Sequence, residues 1–197
     1  MKNERYAKIA RKTKETDIQV EINLDGDGSG SISTGIPFLD HMLTLFTKHG
    51  LFDLSVKAVG DLEIDAHHTV EDIALTLGEA LTKALGDKTG IKRYGWTVLP
   101  MDEALALVSL DLSSRPFLVY DLVPPTDKIK DIDTRLFHEF FQALCVKGGI
   151  NLHIQLLKGE ETHHVFEAVF KAFAKSLDQA TTFDPRVTGV PSTKGIL

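Results

Sequence analysis

Two short segments of the chain set imidazoles and a carboxylate at one spacing: His67-His68-Thr69-Val70-Glu71 and His163-His164-Val165-Phe166-Glu167. Of the eight histidines, four form these two adjacent pairs, where about a third of one pair is expected by chance. Each pair opens an apolar pattern at helical spacing: Val70, Ile73, Ala74, Leu77, Leu81, Leu85 in one case and Phe166, Val169, Phe170, Phe173, Leu177 in the other. Residues four apart share a helix face, so His67 with Glu71, and His163 with Glu167, can each bind one cation. Adjacent residues are turned by about 100°, so His68 and His164 must serve other ions than their neighbours, or none. The economical arrangement has two metals, each taking a His/Glu pair from one segment and a second His from the other. Imidazole and carboxylate donors without thiolate suit Mn, Fe, Zn or Ni, and the carboxylates lean toward a hard six-coordinate ion. A solvated helix N-terminus whose glutamate complements the dipole would explain one such segment. Surface chemistry gives no reason for two in register.

The elements that must position these groups also recur. Phe38 to Leu45 resembles Phe137 to Leu144, and both should be helical. Gly50 with LFDLSVKAV and Gly149 with INLHIQLL then supply alternating strands, each leading through a loop to a His-His pair. Before each first helix a strand pair is expected: Asp17–Leu24 with Ser31–Ser33 around DGDGSGS, and Glu103–Leu112 with Phe117–Leu122 around SSRP. The glycine-rich run lies between strands rather than before a helix, so it reads as a hairpin turn and not a phosphate loop. The chain is therefore expected to be α+β, a tandem repeat of two ββαβα-type units at about 1–90 and 91–185 in a single domain, with helices packed between or against two mixed sheets. The Gly/Pro/Ser/Thr-rich tail, 186–197, reads equally as disorder or as a lid over a ligand. Two further groups stand on the upstream helices: His41 in the first, His138 and Glu139 in the second. His153, alternating with apolar neighbours, reads as structural, and Cys145 as a small core residue.

Composition narrows the class. With 22 Lys+Arg against 28 Asp+Glu the net charge is −6, which argues against a nucleic-acid binder with a broad basic face. No run approaches the roughly 18 apolar residues of a membrane span, and MKNERYAKIARKTKE lacks the apolar stretch of a signal peptide. A lone cysteine excludes a disulfide framework and fits a cytoplasmic protein.

The motifs TKET (13–16), TGIPFLDHML (34–43), DAHHTVEDI (65–73), RYG (93–95), PMDEAL (100–105), SSRP (113–116), HHVFEAVFKAFAKSL (163–177) and PSTKG (191–195) span almost the whole chain. In them it resembles the imidazoleglycerol-phosphate dehydratases of histidine biosynthesis. The resemblance implies a fold like the second domain of ribosomal protein S5, a cage of 24 subunits with sites at subunit contacts, and two Mn²⁺ per active site. One ion would be held by His41, His68, His163 and Glu167, the other by His67, Glu71, His164 and position 139, where the motif alignment favours Glu139 over His138. The implied reaction is the manganese-dependent dehydration of D-erythro-imidazole glycerol phosphate to imidazole acetol phosphate through a metal-bound imidazolate. Only the dehydratase is implied, not the phosphatase of longer bifunctional relatives. Glu15 of TKET would move the carbon-bound proton, with His67 and Glu167 completing the catalytic set. Arg93, Arg115, Lys171, Ser192, Thr193 and Lys194 are the expected phosphate groups, and His49 is expected to line the pocket. Glu15, His41, His67, Glu71 and His163 would also touch substrate. The competing classes are a non-catalytic metal-binding assembly and another dinuclear metal hydrolase.

Overall fold

The computed structural model describes residues 5–197; residues 1–4, where the first expected repeat begins, lie outside the described residues. The first half comprises β1 (Tyr6–Lys12), β2 (Thr16–Asn23), β3 (Gly30–Ser33), α1 (Pro37–Gly50), β4 (Asp53–Gly60) and α2 (His67–Leu85). The second comprises β5 (Tyr94–Met101), β6 (Ala104–Asp111), β7 (Phe117–Asp121), a short hairpin β8 (Lys128–Ile129) and β9 (Ile132–Asp133), then α3 (Leu136–Gly148), β10 (Asn151–Lys158) and α4 (Thr162–Thr181). Strict alternation makes the inner strands: β2 buries Ile18, Val20 and Ile22, and β6 buries Ala104, Ala106, Val108 and Leu110, while the residues between them face outward.

The two halves repeat one topology. Their sheets run β1-β2-β4-β3 and β5-β6-β10-β7, so each expected ββαβα unit is present and is headed by one further strand, β1 or β5. Those two were silent in the sequence for different reasons. β1 offers Ile9 as its one large inward apolar residue. β5 turns Tyr94, Trp96 and Val98 outward, where they are exposed, which inverts the usual pattern.

The expected pairing of Asp17–Leu24 with Ser31–Ser33 is corrected. β2 and β3 are not paired; β4 lies between them, antiparallel to β2 and parallel to β3. The glycine-rich run is thus a crossing connection and no hairpin turn. Its shape is set from outside: the Asp53 carboxylate accepts the N–H groups of Asp27 and Ser29 at 3.0 and 3.1 Å, and Gly28 (φ +85°) lies against the Lys48 backbone. β6 and β7 flank β10 in the same way.

Helix packing crosses between halves. α2 covers β1, β2 and β4 and packs on α3, whereas α4 covers β5 and β6 and packs on α1. The α2–α3 contact is close enough that a Cβ at Gly78 would lie 2.8 Å from the Gly148 nitrogen. The four helices form one layer between the sheets, filled by Phe46, Phe137, Phe140, Phe141, Phe166, Phe170 and Phe173. Among the described residues no helix is long and apolar enough to cross a membrane.

Candidate active site

Because α1 of the first half packs on α4 of the second, His41 meets His163 and Glu167 across 122 residues or more of sequence. Nε2 of His41 lies 2.8 Å, and Nε2 of His163 3.0 Å, from the same Glu167 oxygen, Oε1. The other oxygen, Oε2, accepts from Lys171 Nζ at 2.5 Å. Burial pushes the Glu167 carboxyl up, but Lys171 and then the two imidazoles outweigh it and hold the group down at about 2. The Phe38 ring stands edge-on to His163 at 5.2 Å and fixes its plane. Two imidazole nitrogens and one ionised oxygen within 4.8 Å of one another make a ready ligand set, and its N,N,O chemistry fits a borderline or hard divalent cation.

The second histidine of each pair points elsewhere. Ring centroids of His163 and His164 are 6.3 Å apart with planes at 82°, and those of His67 and His68 are 6.1 Å apart at 87°. His164 directs Nδ1 to Glu103 Oε2 at 2.7 Å, and His68 directs Nδ1 to Asp61 Oδ2 at 2.9 Å. Those hydrogen bonds raise both imidazole pKa values. Glu15, in the β1–β2 turn, places Oε2 3.9 Å from His68 Nδ1.

His67 opens α2 and lines a cavity of about 750 Å³ together with Asp65, Asp131, Asp133, Arg135 and Glu139. Glu71 is exposed one turn along from His67. His138 reaches the Glu139 carboxylate at 3.1 Å and sets its ring edge-on to Tyr120. Among the described residues, then, His68 is not beside His41, His163 and Glu167. His164 is likewise turned to Glu103 and is not among the residues lining the His67 cavity.

The expected phosphate groups gather separately. Arg93, Tyr94, Arg115, Pro191, Ser192, Thr193 and Lys194 line one cleft of about 800 Å³. Arg93 donates Nε and Nη2 to the two oxygens of Asp111 at 2.7 and 3.0 Å and Nη1 to the Pro191 carbonyl at 2.8 Å. The tail is therefore folded back onto the sheet by a backbone contact. Arg93 also takes a backbone bond from its own N–H to Ala180 near the end of α4. Thirteen residues separate Ala180 from Glu167, so the cleft stands about 20 Å from the His41 cluster along the helix. Lys171 stays with the cluster. His49 lies at its edge: burial, with Lys171 and Lys175 adding, lowers its pKa.

Three carboxylates in these contacts were not singled out from sequence: Asp61, Glu103 and Asp111. Glu103 stands in the PMDEAL motif. Nothing in the local sequence distinguishes Asp61 or Asp111 from the other acids of the chain.

The family model for imidazoleglycerol-phosphate dehydratase matches residues 34–177. The chain belongs to the imidazoleglycerol-phosphate dehydratase family. A dehydratase of that name from Acetivibrio thermocellus is 57% identical over 194 residues, covering 98% of this chain and 100% of the relative. Another, from Syntrophobacter fumaroxidans, is 54% identical over 197 residues, the full length of both. Solved dehydratase structures from Staphylococcus aureus and Pyrococcus furiosus superpose with TM-scores of 0.83 and 0.84, at 38% and 40% identity, covering 91% and 96% of this chain and 99% and 100% of theirs. The dehydratase fold thus matches the α+β arrangement of repeated units expected from the sequence.

Proposed function

We propose that this chain dehydrates D-erythro-imidazole glycerol phosphate to imidazole acetol phosphate in L-histidine biosynthesis, as a hydro-lyase using two Mn²⁺ per active site. Family membership carries the dehydration. The metal dependence is supported by one observation above the rest: two imidazoles from different halves of the chain converge on a single ionised Glu167 oxygen. His41, His163 and Glu167 would hold one ion and take His68 from another copy of the chain. His67, Glu71 and Glu139 would hold the second and take His164 from another copy. When bound, the ions supply positive charge at the azole nitrogens, which favours the deprotonated ring that can expel a neighbouring hydroxyl.

The chain's own groups do the remaining work. Glu15 is the base and acid for the carbon-bound proton, because its exposed carboxylate sits beside His68 and travels with it into a composite site. Arg93, Arg115, Ser192, Thr193 and Lys194 take the phosphate: the exposed Arg115 offers a guanidinium fork, while Arg93, its own fork held by Asp111 and Pro191, adds positive charge and fixes the tail. A substrate whose ring and phosphate are joined by only three carbons cannot reach across the roughly 20 Å that separate this cleft from the His41 cluster in one chain. The working site must therefore combine copies, and the 24-subunit cage implied by the family resemblance supplies them. We place the enzyme in the cytoplasm, where the buried thiol of Cys145 stays reduced.

A metal-storage assembly has no use for Arg93, Arg115 and Lys194 around one cleft. Assaying water loss from imidazole glycerol phosphate with chelator, then restoring Mn²⁺, Zn²⁺ and Fe²⁺ one at a time, tests the proposal. Turnover recovers with Mn²⁺ if it holds, and undiminished turnover in metal-free protein overturns it.

A further inference from the structure

In both His-His pairs the second imidazole is held at Nδ1 by a carboxylate from a different loop. Asp61 lies between β4 and α2; Glu103 lies at the β5–β6 turn, a non-equivalent place in the repeat. The duplicated frame thus reaches the same contact twice by separate routes. Glu103 is pinned and Asp61 is largely buried. Glu103 uses Oε1 for the backbone N–H groups of Glu161 and Glu160, at 2.9 and 3.3 Å, leaving Oε2 for His164. The Asp61 side chain is 13% exposed and gives Oδ2 to His68.

A carboxylate only accepts, so each imidazole must donate from Nδ1. In the neutral ring that leaves the Nε2 lone pair free. The first histidines differ: His163 turns Nε2 to Glu167, and the ring of His67 makes no hydrogen bond among the described residues.

We propose that Asp61 and Glu103 are positioning residues that fix the Nδ1–H tautomer and ring plane of His68 and His164, so that each presents Nε2 to the metal site it completes. This rests on the reading of His68 and His164 as metal ligands. Outer carboxylates of this kind raise the basicity of a metal-binding imidazole and remove the entropy of orienting it.

The test is Mn²⁺ binding to the metal-stripped full-length protein, followed by the EPR signal of the free ion, for wild type, Glu103→Gln, Asp61→Asn, His164→Ala and His68→Ala. Each carboxamide variant should bind the ion at its own histidine about tenfold or more weakly, with the melting temperature of the metal-free protein unmoved. In copper-loaded protein the remote-nitrogen quadrupole lines of the coordinated imidazoles should also shift, since Nδ1–H has lost its anionic acceptor; a purely structural role would leave them in place. Wild-type Mn²⁺ affinity in both alanine variants would overturn the ligand reading and the proposal together. Weakened alanine variants beside carboxamide variants with wild-type affinity and unshifted lines would overturn the proposal alone. Should Glu103→Gln fail to fold, Asp61→Asn decides.

Discussion

His163 and His164 are consecutive in the chain, yet they serve opposite directions. Nε2 of His163 is 3.0 Å from Glu167, while His164 turns Nδ1 to Glu103 at 2.7 Å. The helix forces this divergence, and it carries a stoichiometric consequence. His163→Ala and His164→Ala should each lose one bound Mn²⁺ per chain, but different ones, and the double variant should lose both. Metal analysis of purified protein reads this directly; a double variant that keeps one ion would place both imidazoles on the same cation.

Glu15 stands 3.9 Å from His68 Nδ1 and makes no contact with the His41 cluster. Glu15→Gln should therefore keep both metal ions while turnover falls by about 10²–10⁴-fold, the usual worth of a positioned acid/base. Near-normal turnover at full metal content would remove Glu15 from the chemistry.

Arg93 is held at both oxygens of Asp111 and ties down the Pro191 carbonyl. Lysine cannot reproduce that fork. Losing charge-assisted bonds worth about 1.5–3 kcal/mol in Arg93→Lys should raise KM by roughly ten- to a hundredfold. Limited proteolysis should also cut the tail at 186–197 faster than in wild type. An unchanged KM would mean that the cleft does not take the phosphate.

Phe170 is 1% exposed and meets Phe137, Phe140 and Phe141 between α3 and α4. Phe170→Ala opens a cavity in the layer that fixes α4, and should cost about 3–5 kcal/mol of stability. Denaturant unfolding measures it, with metal-free protein used throughout so that metal linkage does not mask the loss.

Burial pushes the Cys145 thiol up to about 12. A folded pKa above the unfolded one favours the neutral thiol in the native state. The associated stability is thus fully present below the ordinary thiol pKa of about 8.5 and is lost as pH rises toward 12. Thiol titration at pH 8 should show no reaction in native protein and one equivalent after unfolding; rapid native reaction would contradict the buried placement.

Local chemistry made the paired helices legible, because His-x-x-x-Glu and the apolar spacing after it are periodic signals contained within one turn or two. The duplication, the four helices and the inner strands followed from the same short-range periodicity. Pairing was not legible. The split of β2 from β3 by β4 depends on a strand that arrives after α1, and alternation is the same for either neighbour. β1 and β5 were hidden because one has a single large inward apolar residue, Ile9, and the other wears its large side chains outward. From the residues alone, geometry required His67 and His68 to diverge, and likewise His163 and His164. The sequence by itself therefore determined which residue types could bind metal and that neighbours in each pair must part. Only the tertiary structure decided that His41 reaches Glu167, that Asp61 and Glu103 hold the second histidines, and that Arg93 anchors the tail. Each of those contacts joins elements distant along the chain, and it is the packing of α1 on α4 and of the sheets on the helix layer that sets which distant groups touch.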